Sequence, residues 1–306
     1  MNIMITGGAG FIGSHTTELF VKAGHVVRVT DDFTTGTREN LSGVRDEIDL
    51  FELDVRNYEV LERACDGVDI ILHLAAISSV EKSIIDPLAV HEVNTTGSLN
   101  VVEAARKAGV RRVILASSAA VYGEQEQLPI TEDSPARPIS PYAWHKLTGE
   151  FYGREYGELY EIEFMALRYF NVYGTRQNPA SPYCGVLSLF IERSLKCEPL
   201  VIHGDGNQSR DFIHVSDIAR ANLLAVEAAW PLPQIMNVAT GIETSIIEAA
   251  AIIQKAASSS AGFTHDEPRA GDISRSYADS GLMEKALGFR PMVEIGQGLA
   301  EFVANS

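Results

Sequence analysis

Three evenly spaced glycines where a first strand ends constrain this chain more than any other stretch. Ile3 to Ile5 is an apolar run that reads as a strand, and Gly7, Gly10 and Gly13 then turn the chain into a helix over about Phe11 to Ala23. Glycine lets backbone approach a pyrophosphate without a Cβ in the way. The free N–H groups of the helix's first turn then face the anion with the positive end of the dipole. Such trios are common at strand ends, and the spacing here is G-x-x-G-x-x-G rather than G-x-G-x-x-G, so the surrounding pattern has to decide.

That pattern alternates strand and helix. Gly24 ends the first helix, and His25 to Thr30 is a β-branched run closing on Asp31-Asp32. Asp31 lies 18 residues beyond Gly13, near the roughly 20-residue offset at which an acid takes the adenosine ribose hydroxyls of a dinucleotide. Its other reading is a strand-end aspartate capping a turn before Gly36. A carboxylate here disfavours a 2′-phosphate, because like charges about 4 Å apart repel by roughly 4 kcal/mol at an effective dielectric near 20. The expected cofactor is therefore NAD rather than NADP. Asp49 to Leu53 reads as a third strand running into Asp54-Val55, where Asp54 suits an adenine amine and nearly as well a turn or cap before the helix Tyr58 to Cys65. The fourth strand, Val68 to Leu74, enters His73-Leu74-Ala75-Ala76, whose small residues admit a cofactor. Pro87 to Ala108 reads as one long helix with Asn94 inside it, and Val113 to Leu115 as the fifth strand. The class predicted is α/β, a Rossmann-type doubly wound parallel sheet with a smaller C-terminal α/β substrate-binding domain. Ligands of such sheets bind beyond the carboxyl ends of the strands.

Charge narrows the partners. The chain of 306 residues carries 41 acidic against 25 basic side chains, a formal charge of −16. A polyanion would be repelled by the surface as a whole, which excludes a nucleic-acid binder, so a phosphate-bearing ligand needs local arginines and backbone N–H groups. There is no apolar stretch of membrane-spanning length and no basic n-region of a signal peptide, so no membrane association and a cytoplasmic location are expected. Cys65, Cys184 and Cys197 lie far apart and read as unpaired thiols, and the eight histidines form no metal pattern, so no metal is assigned.

The chemistry is carried by Ala116-Ser117-Ser118-Ala119-Ala120-Val121-Tyr122-Gly123, followed by Pro141-Tyr142-Ala143-Trp144-His145-Lys146. Proline before Tyr142 suits a helix start, and Tyr142 and Lys146, four apart, share one helix face. Tyrosine has an ordinary pKa near 10, so bringing it near 7 takes about 4 kcal/mol of differential stabilisation, which a fixed ammonium and a cationic nicotinamide could supply. A Tyr-x-x-x-Lys pair alone is weak. It gains weight after a nucleotide-binding half and 24 residues past Ser118, which then reads as the hydroxyl orienting substrate and tyrosine.

These segments, with TGGAGFIG, Asp31, Asp54, HLAA, RYFNVYG, GDGNQSRDFIHVSD and RAGD, resemble the extended short-chain dehydrogenase/reductases. The resemblance runs from Gly7 to Asp272 and is strongest to the UDP-galactose/UDP-glucose 4-epimerase branch. It implies catalytic Ser118, Tyr142 and Lys146. It further implies NAD contacts from Gly7, Gly10, Phe11, Ile12, Gly13, Asp31, Asp32, Thr35, Gly36, Asp54, Val55, Leu74, Ala75, Ala76, Asn94, Ser117, Tyr142, Lys146 and Phe170. Nucleotide-sugar contacts are implied for Ser79, Ser118, Tyr142, Asn171, Val186, Ile202, Arg210, Arg269, Asp272 and Ser276, with Arg210 and Arg269 clamping the pyrophosphate and Asp272 on the uridine ribose. The helix Gly185 to Lys196 would lie against uracil, or simply pack in the core. Further elements read as strands at Glu163 to Arg168, Leu200 to His203 and Ile235 to Val238, helices at Val215 to Ala229 and Thr244 to Ala257, and a flexible loop at Ala256 to Gly262. Residues 1–168 are expected to form the NAD-binding domain and 169–306 mainly the sugar-nucleotide domain, with a return to the first around 205–240.

Resembling dehydratases and decarboxylases place an acid before VYG, whereas this chain has Ala119-Ala120. The reaction expected is therefore oxidation of a UDP-hexose at C4 to a 4-keto sugar and reduction from its other face. UDP-glucuronate 4-epimerase, a net NAD-dependent oxidoreductase and a non-catalytic sensor are the rivals. Ser276, four beyond Asp272, stands where a tyrosine accompanies restriction to glucose and galactose, so N-acetylhexosamines are expected to be accepted too. By the same resemblance a homodimer is expected, through the helices Pro87–Ala108 and Tyr142–Glu158.

Overall fold

The computed structural model describes residues 1–177, 185–268 and 273–306. Seven parallel strands form its main sheet: β1 (Asn2–Thr6), β2 (Val26–Asp31), β3 (Ile48–Glu52), β4 (Ile70–His73), β5 (Arg112–Ser118), β6 (Glu163–Tyr169) and, from far along the chain, β11 (Ile235–Val238). Their order is β11-β6-β5-β4-β1-β2-β3, so the direction of winding reverses between β1 and β4, where such sheets take their ligands. Central strands are apolar on both sides because both faces are covered. Ile3 and Ile5 join a core with Phe20 of α1 (Phe11–Lys22) and Ile218 and Ala221 of α8 (Val215–Glu227). Met4 points the other way, into a core with Leu61 of α2 (Tyr58–Ala64) and Val101 and Ala105 of α5 (Gly97–Ala108).

The expected helix Pro87–Ala108 is instead three pieces: α4 (Pro87–His91), a π-helical turn over Glu92–Thr96 and α5. Asn94, within the π turn, explains the interruption, because its side chain is spent on the backbone of Ile77. Ahead of α4 lies a short helix that the sequence reading missed, α3 (Val80–Ile85), capped by Ser79. The helix α6 (Pro141–Tyr160) starts at Ser140, whose side chain takes the Ala143 N–H, with proline in the first turn. It runs unusually close to the sheet. A Cβ on Gly153 would stand 1.9 Å from the Phe164 ring of β6, so only glycine permits this approach.

A second, smaller unit packs α7 (Val186–Leu195), α9 (Ile246–Ala256) and α11 (Ile295–Ala304) around Phe190, Ile253, Leu299 and Phe302. Its strands are short: β7 (Asn171–Tyr173) with β10 (Phe212–His214), β8 (Leu200–His203) with β13 (Phe263–Asp266), and β9 (Ser209–Arg210) between β12 (Thr244–Ser245) and β14 (Arg275–Ser276). Thr244 and Ser245 are therefore strand, and the helix begins one residue later behind a Ser245–Glu248 capping box. The expected flexible loop after Ala256 is tied back by Ser259 N–H to Gln254 O and by the Gln254 side chain to Gly262 O. The helix α10 (Gly281–Leu287) returns the chain to the main sheet beside β11. Among the described residues, no helix is long and apolar enough to cross a membrane, and no cluster of His, Cys, Asp or Glu could hold a metal ion.

Candidate active site

The glycine turn is shaped by the chain's own contacts. A Cβ on Gly13 would stand 2.1 Å from the Gly7 carbonyl, so the first turn of α1 can press onto the loop only with glycine there. Gly10 is the N-cap and contributes no side chain, which leaves the early N–H groups at Phe11 and Ile12 without intrahelical partners and ready for an anion. Asp31, 6% exposed, takes the Ala9 N–H at 2.9 Å and the Phe33 N–H at 2.9 Å. The turn-capping reading of Asp31 is thus realised, with the same carboxylate also tied to the glycine loop through Ala9. Burial pushes its carboxyl above the usual range against the pull of those two donors. Asn40, which the sequence reading passed over, donates to Ala9 O at 2.9 Å and braces the same loop.

Around this turn, Asp32 and Thr35 are exposed, Asp32 accepting from Thr34 N–H at 2.9 Å, while Gly36 is buried against Ala9. Asp54 is engaged by its own neighbour: Arg56 donates to it from its backbone at 2.8 Å and from its guanidinium, which holds the carboxyl below its ordinary range. The turn reading of Asp54 is thus realised in the structure. Val55 packs its side chain in the core, with only 4% exposed.

Beneath the loop, a directed hydrogen-bond chain fixes the floor. Ser98 donates to Asn94 O at 2.6 Å, so it must accept from His73 Nε2 at 3.1 Å. His73 Nδ1 then accepts from Thr6 Oγ1 at 2.7 Å, and Thr6 accepts from the Ala75 N–H at 3.2 Å. Every member is satisfied only with a neutral imidazole, and burial, followed by the Lys146 charge, pushes His73 down to about 3. The chain ties β1 and β4 to the π turn. It thereby sets Leu74, Ala75 and Ala76, all half-buried, at the mouth of the cleft.

The catalytic candidates converge at the carboxyl end of β5. Tyr142 is 8% exposed, with the Ser118 hydroxyl beside its own, and the Lys146 ammonium lies 6.0 Å from its ring centre. Lys146 donates to Ala116 O at 2.7 Å. Burial outweighs all else and holds the Tyr142 phenol above its ordinary value, with Ser118 pulling the other way, while burial pushes Lys146 down to about 8. Water excluded from the site destabilises both charged forms at once. Ser83, missed in the sequence, takes the Tyr142 N–H at 3.1 Å and anchors the start of α6. Ser117, expected at the cofactor, turns its hydroxyl to Glu150 instead. Ser79 spends its hydroxyl on the Lys82 N–H, and Phe170 is buried beside Tyr122.

On the sugar side, Arg210 and Ser276 are direct cross-strand partners, so those two expected residues stand side by side. Arg210 donates to Ser209 O at 2.8 Å and Ile273 O at 2.7 Å. Asn171 lies on β7 with its amide on Asp211 O at 3.3 Å, and Val186 opens α7, half-buried. Ile202 is a correction: it is fully buried in the core of the smaller unit, because strand alternation turns its neighbours Val201 and His203 outward. Arg269 and Asp272 lie outside the described residues.

Residues 3–239 match the model of the NAD dependent epimerase/dehydratase family. The chain belongs to that family. A UDP-glucose 4-epimerase of Mycolicibacterium smegmatis is 36% identical over 99% of this chain and 97% of its own. Two solved structures share the whole architecture: a UDP-glucose 4-epimerase of Thermotoga maritima with UDP-glucose, 34% identical at a TM-score of 0.95 over 100% of this chain and 98% of that one, and a UDP-N-acetylglucosamine 4-epimerase of Methanobrevibacter ruminantium in complex with UDP-N-acetylmuramic acid, 36% identical at a TM-score of 0.94 over 99% and 97%.

Within this epimerase/dehydratase chain, the residue that sequence reasoning most clearly missed is Asp211. Fully buried, it accepts from Thr240 N–H at 2.8 Å, Thr240 Oγ1 at 2.6 Å, Gly241 N–H at 2.8 Å and Ala278 N–H at 3.4 Å, while its carbonyl takes the Asn171 N–H at 3.0 Å. One residue thus fastens the segments around the expected site: its carboxylate holds Thr240, Gly241 and Ala278, two residues past Ser276, and its carbonyl holds Asn171. Its place directly after Arg210 was the available signal, but an aspartate beside an arginine reads equally as a surface ion pair.

Proposed function

We propose that this protein is an NAD-dependent UDP-sugar 4-epimerase acting on UDP-glucose and UDP-galactose, and on their N-acetylated counterparts. The observation that carries this reading is the set of half-buried Ser118 with buried Tyr142 and Lys146, standing at the carboxyl end of a strand in the sheet whose glycine turn suits a dinucleotide, with Ala119-Ala120 instead of an acid after Ser118. When bound, NAD supplies the acceptor and donor of the C4 hydride. Tyr142 takes the proton of the sugar 4-hydroxyl and, once the 4-keto sugar has turned its other face, returns one to the same oxygen. Ser118 aligns the hydroxyl, and the Lys146 ammonium favours the phenolate that the buried site otherwise opposes. Arg210 and Asn171 hold the nucleotide while the sugar turns. The neutral His73, locked by Thr6 and Ser98, adds no competing proton.

Incubating the purified protein with UDP-glucose, UDP-N-acetylglucosamine and UDP-glucuronate in turn, and resolving the products, tests the reading. C4-epimers without bulk NADH are expected. Stoichiometric NADH would mean a net dehydrogenase, and turnover of UDP-glucuronate alone would replace the hexose assignment. Ser276, 6% exposed beside Arg210, motivates the wider sugar range. Ser276→Tyr should lose UDP-N-acetylglucosamine turnover while keeping that of UDP-glucose, and equal loss or retention of both would sink it.

The same reading includes a homodimer. Leu88 is 78%, Trp144 55% and Phe151 53% exposed on α4 and α6, flanking a groove of about 670 Å³ that His91, Trp144 and Tyr152 line. Apolar groups so exposed on adjacent helices suit burial by a second copy. Sedimentation should give a dimer, and a monomer at all concentrations would refute it.

A further inference from the structure

Tyr142, Lys146 and Glu150 follow one another at four-residue steps on α6 and are 8, 8 and 2% exposed, so one buried face of one helix carries a phenol, an ammonium and a carboxylate in a row. Glu150 is clamped from the sheet. Ser117 and Arg168 are cross-strand partners on β5 and β6. The Ser117 hydroxyl donates to Glu150, and Arg168 forms a two-pronged pair with it at 2.9 and 2.6 Å. The neighbouring residue of the same strand, Ala116, offers the carbonyl that takes the Lys146 ammonium. Resting on the epimerase reading, we propose that Glu150 is a positioning residue for proton transfer: its clamped carboxylate is the counter-charge that keeps the Lys146 ammonium in place beside Tyr142.

The surroundings of Lys146 leave no other group for that task. From α6 it faces Tyr142 and His145 and from β4 the neutral His73, while the Arg168 guanidinium on β6 turns to Glu150 and to the Tyr122 ring 4.6 Å away. Burial works against the ammonium, and Glu150 is the charge working for it. A buried ion pair of this kind is often replaceable by apolar residues without loss of stability, which leaves its site beneath the lysine as the feature to be explained. Arg168 and Ser117 then have a distinct duty. They hold the Glu150 carboxyl in one place with charge-assisted bonds.

Glu150→Gln keeps the shape and removes the charge. The alkaline limb of its kcat–pH profile should fall by about one pH unit or more, cutting kcat near pH 8 about tenfold, with KM for UDP-glucose and NAD content unchanged. Glu150→Asp should recover part of the shift. The lysine Cε resonance in isotope-labelled protein, assigned by its loss in Lys146→Met, should titrate lower by the same amount in Glu150→Gln, a readout independent of any substrate. If the wild type proves inactive on every UDP-sugar but the resonance moves, the epimerase reading fails and the Glu150 assignment to Lys146 stands. An unmoved profile and an unmoved resonance, with only thermal stability lowered, overturn the proposal. Should Glu150→Gln fail to fold, Glu150→Gln/Arg168→Gln, which strands no buried guanidinium, carries the same measurements.

Discussion

The two sides of the cleft are built by different means. On the dinucleotide side, the turn from Gly7 to Gly13 is backbone, braced by backbone-directed bonds from Asp31 and Asn40 and floored by the Thr6–His73–Ser98 chain. On the side proposed for the sugar nucleotide, strands of two or three residues carry Asn171, Arg210 and Ser276, and one buried residue, Asp211, fastens them through its carboxylate and its carbonyl. A backbone site tolerates change in most side chains near it, whereas a site gathered by one side chain depends on that residue.

The strongest test of this contrast is the residue on the seam. Tyr142→Phe should lower kcat about 10²–10⁴-fold while leaving both NAD and UDP affinities intact, and steady-state kinetics with a binding titration check it. Full retained rate would displace the assigned base. Asp211→Ala comes next: stranding its four donors should cost about 2–3 kcal/mol and raise KM for the UDP-sugar at least about tenfold, with NAD retention unaltered. Equal weakening of both ligands would erase the distinction between the halves. Asp31→Asn should do the converse, weakening NAD by about 1.5–2 kcal/mol in calorimetry and narrowing the preference over NADP, with UDP binding unchanged.

The smallest effect is in the floor and appears as pH dependence. The folded imidazole of His73 sits at about 3, below its unfolded value near 6.5. Between those values the unfolded chain binds the extra proton, so stability is complete above about 6.5 and falls as pH drops towards 3. One pH unit below the unfolded value the loss is about 1.4 kcal/mol. Urea midpoints of wild type and His73→Gln should therefore converge on acidification, and parallel curves would count against the neutral, locked histidine.

These differences also decide what could be read beforehand. The alternation of apolar runs and helices up to Ala108 was legible because each period is set locally, and the Gly13–Asp31 spacing reflects one short βαβ unit. Tyr142 and Lys146 were legible for the same reason, sharing one helix face. Residues joined through long loops were not. Asp211 meets Thr240 and Ala278 across 29 and 67 residues, and no pattern in a window reports such a contact. Ile202 was misread because a strand's inward face depends on register with its neighbours. The elevated Tyr142 phenol was missed because burial is a property of the assembled site.

The π turn at Glu92–Thr96 is in effect a phase shift. Each α-helical residue advances about 100°, and the widened turn holds one more residue than a regular one, so Pro87–His91 is rotated relative to the course that α5 would have set. One segment can thereby keep Val101 and Ala105 against the sheet, turn Asn94 inward to Ile77 and still aim Leu88 outward. Deleting a single residue here would restore a smooth helix and turn Pro87–His91 out of line with α5, so the length of this segment is fixed by the faces it must present.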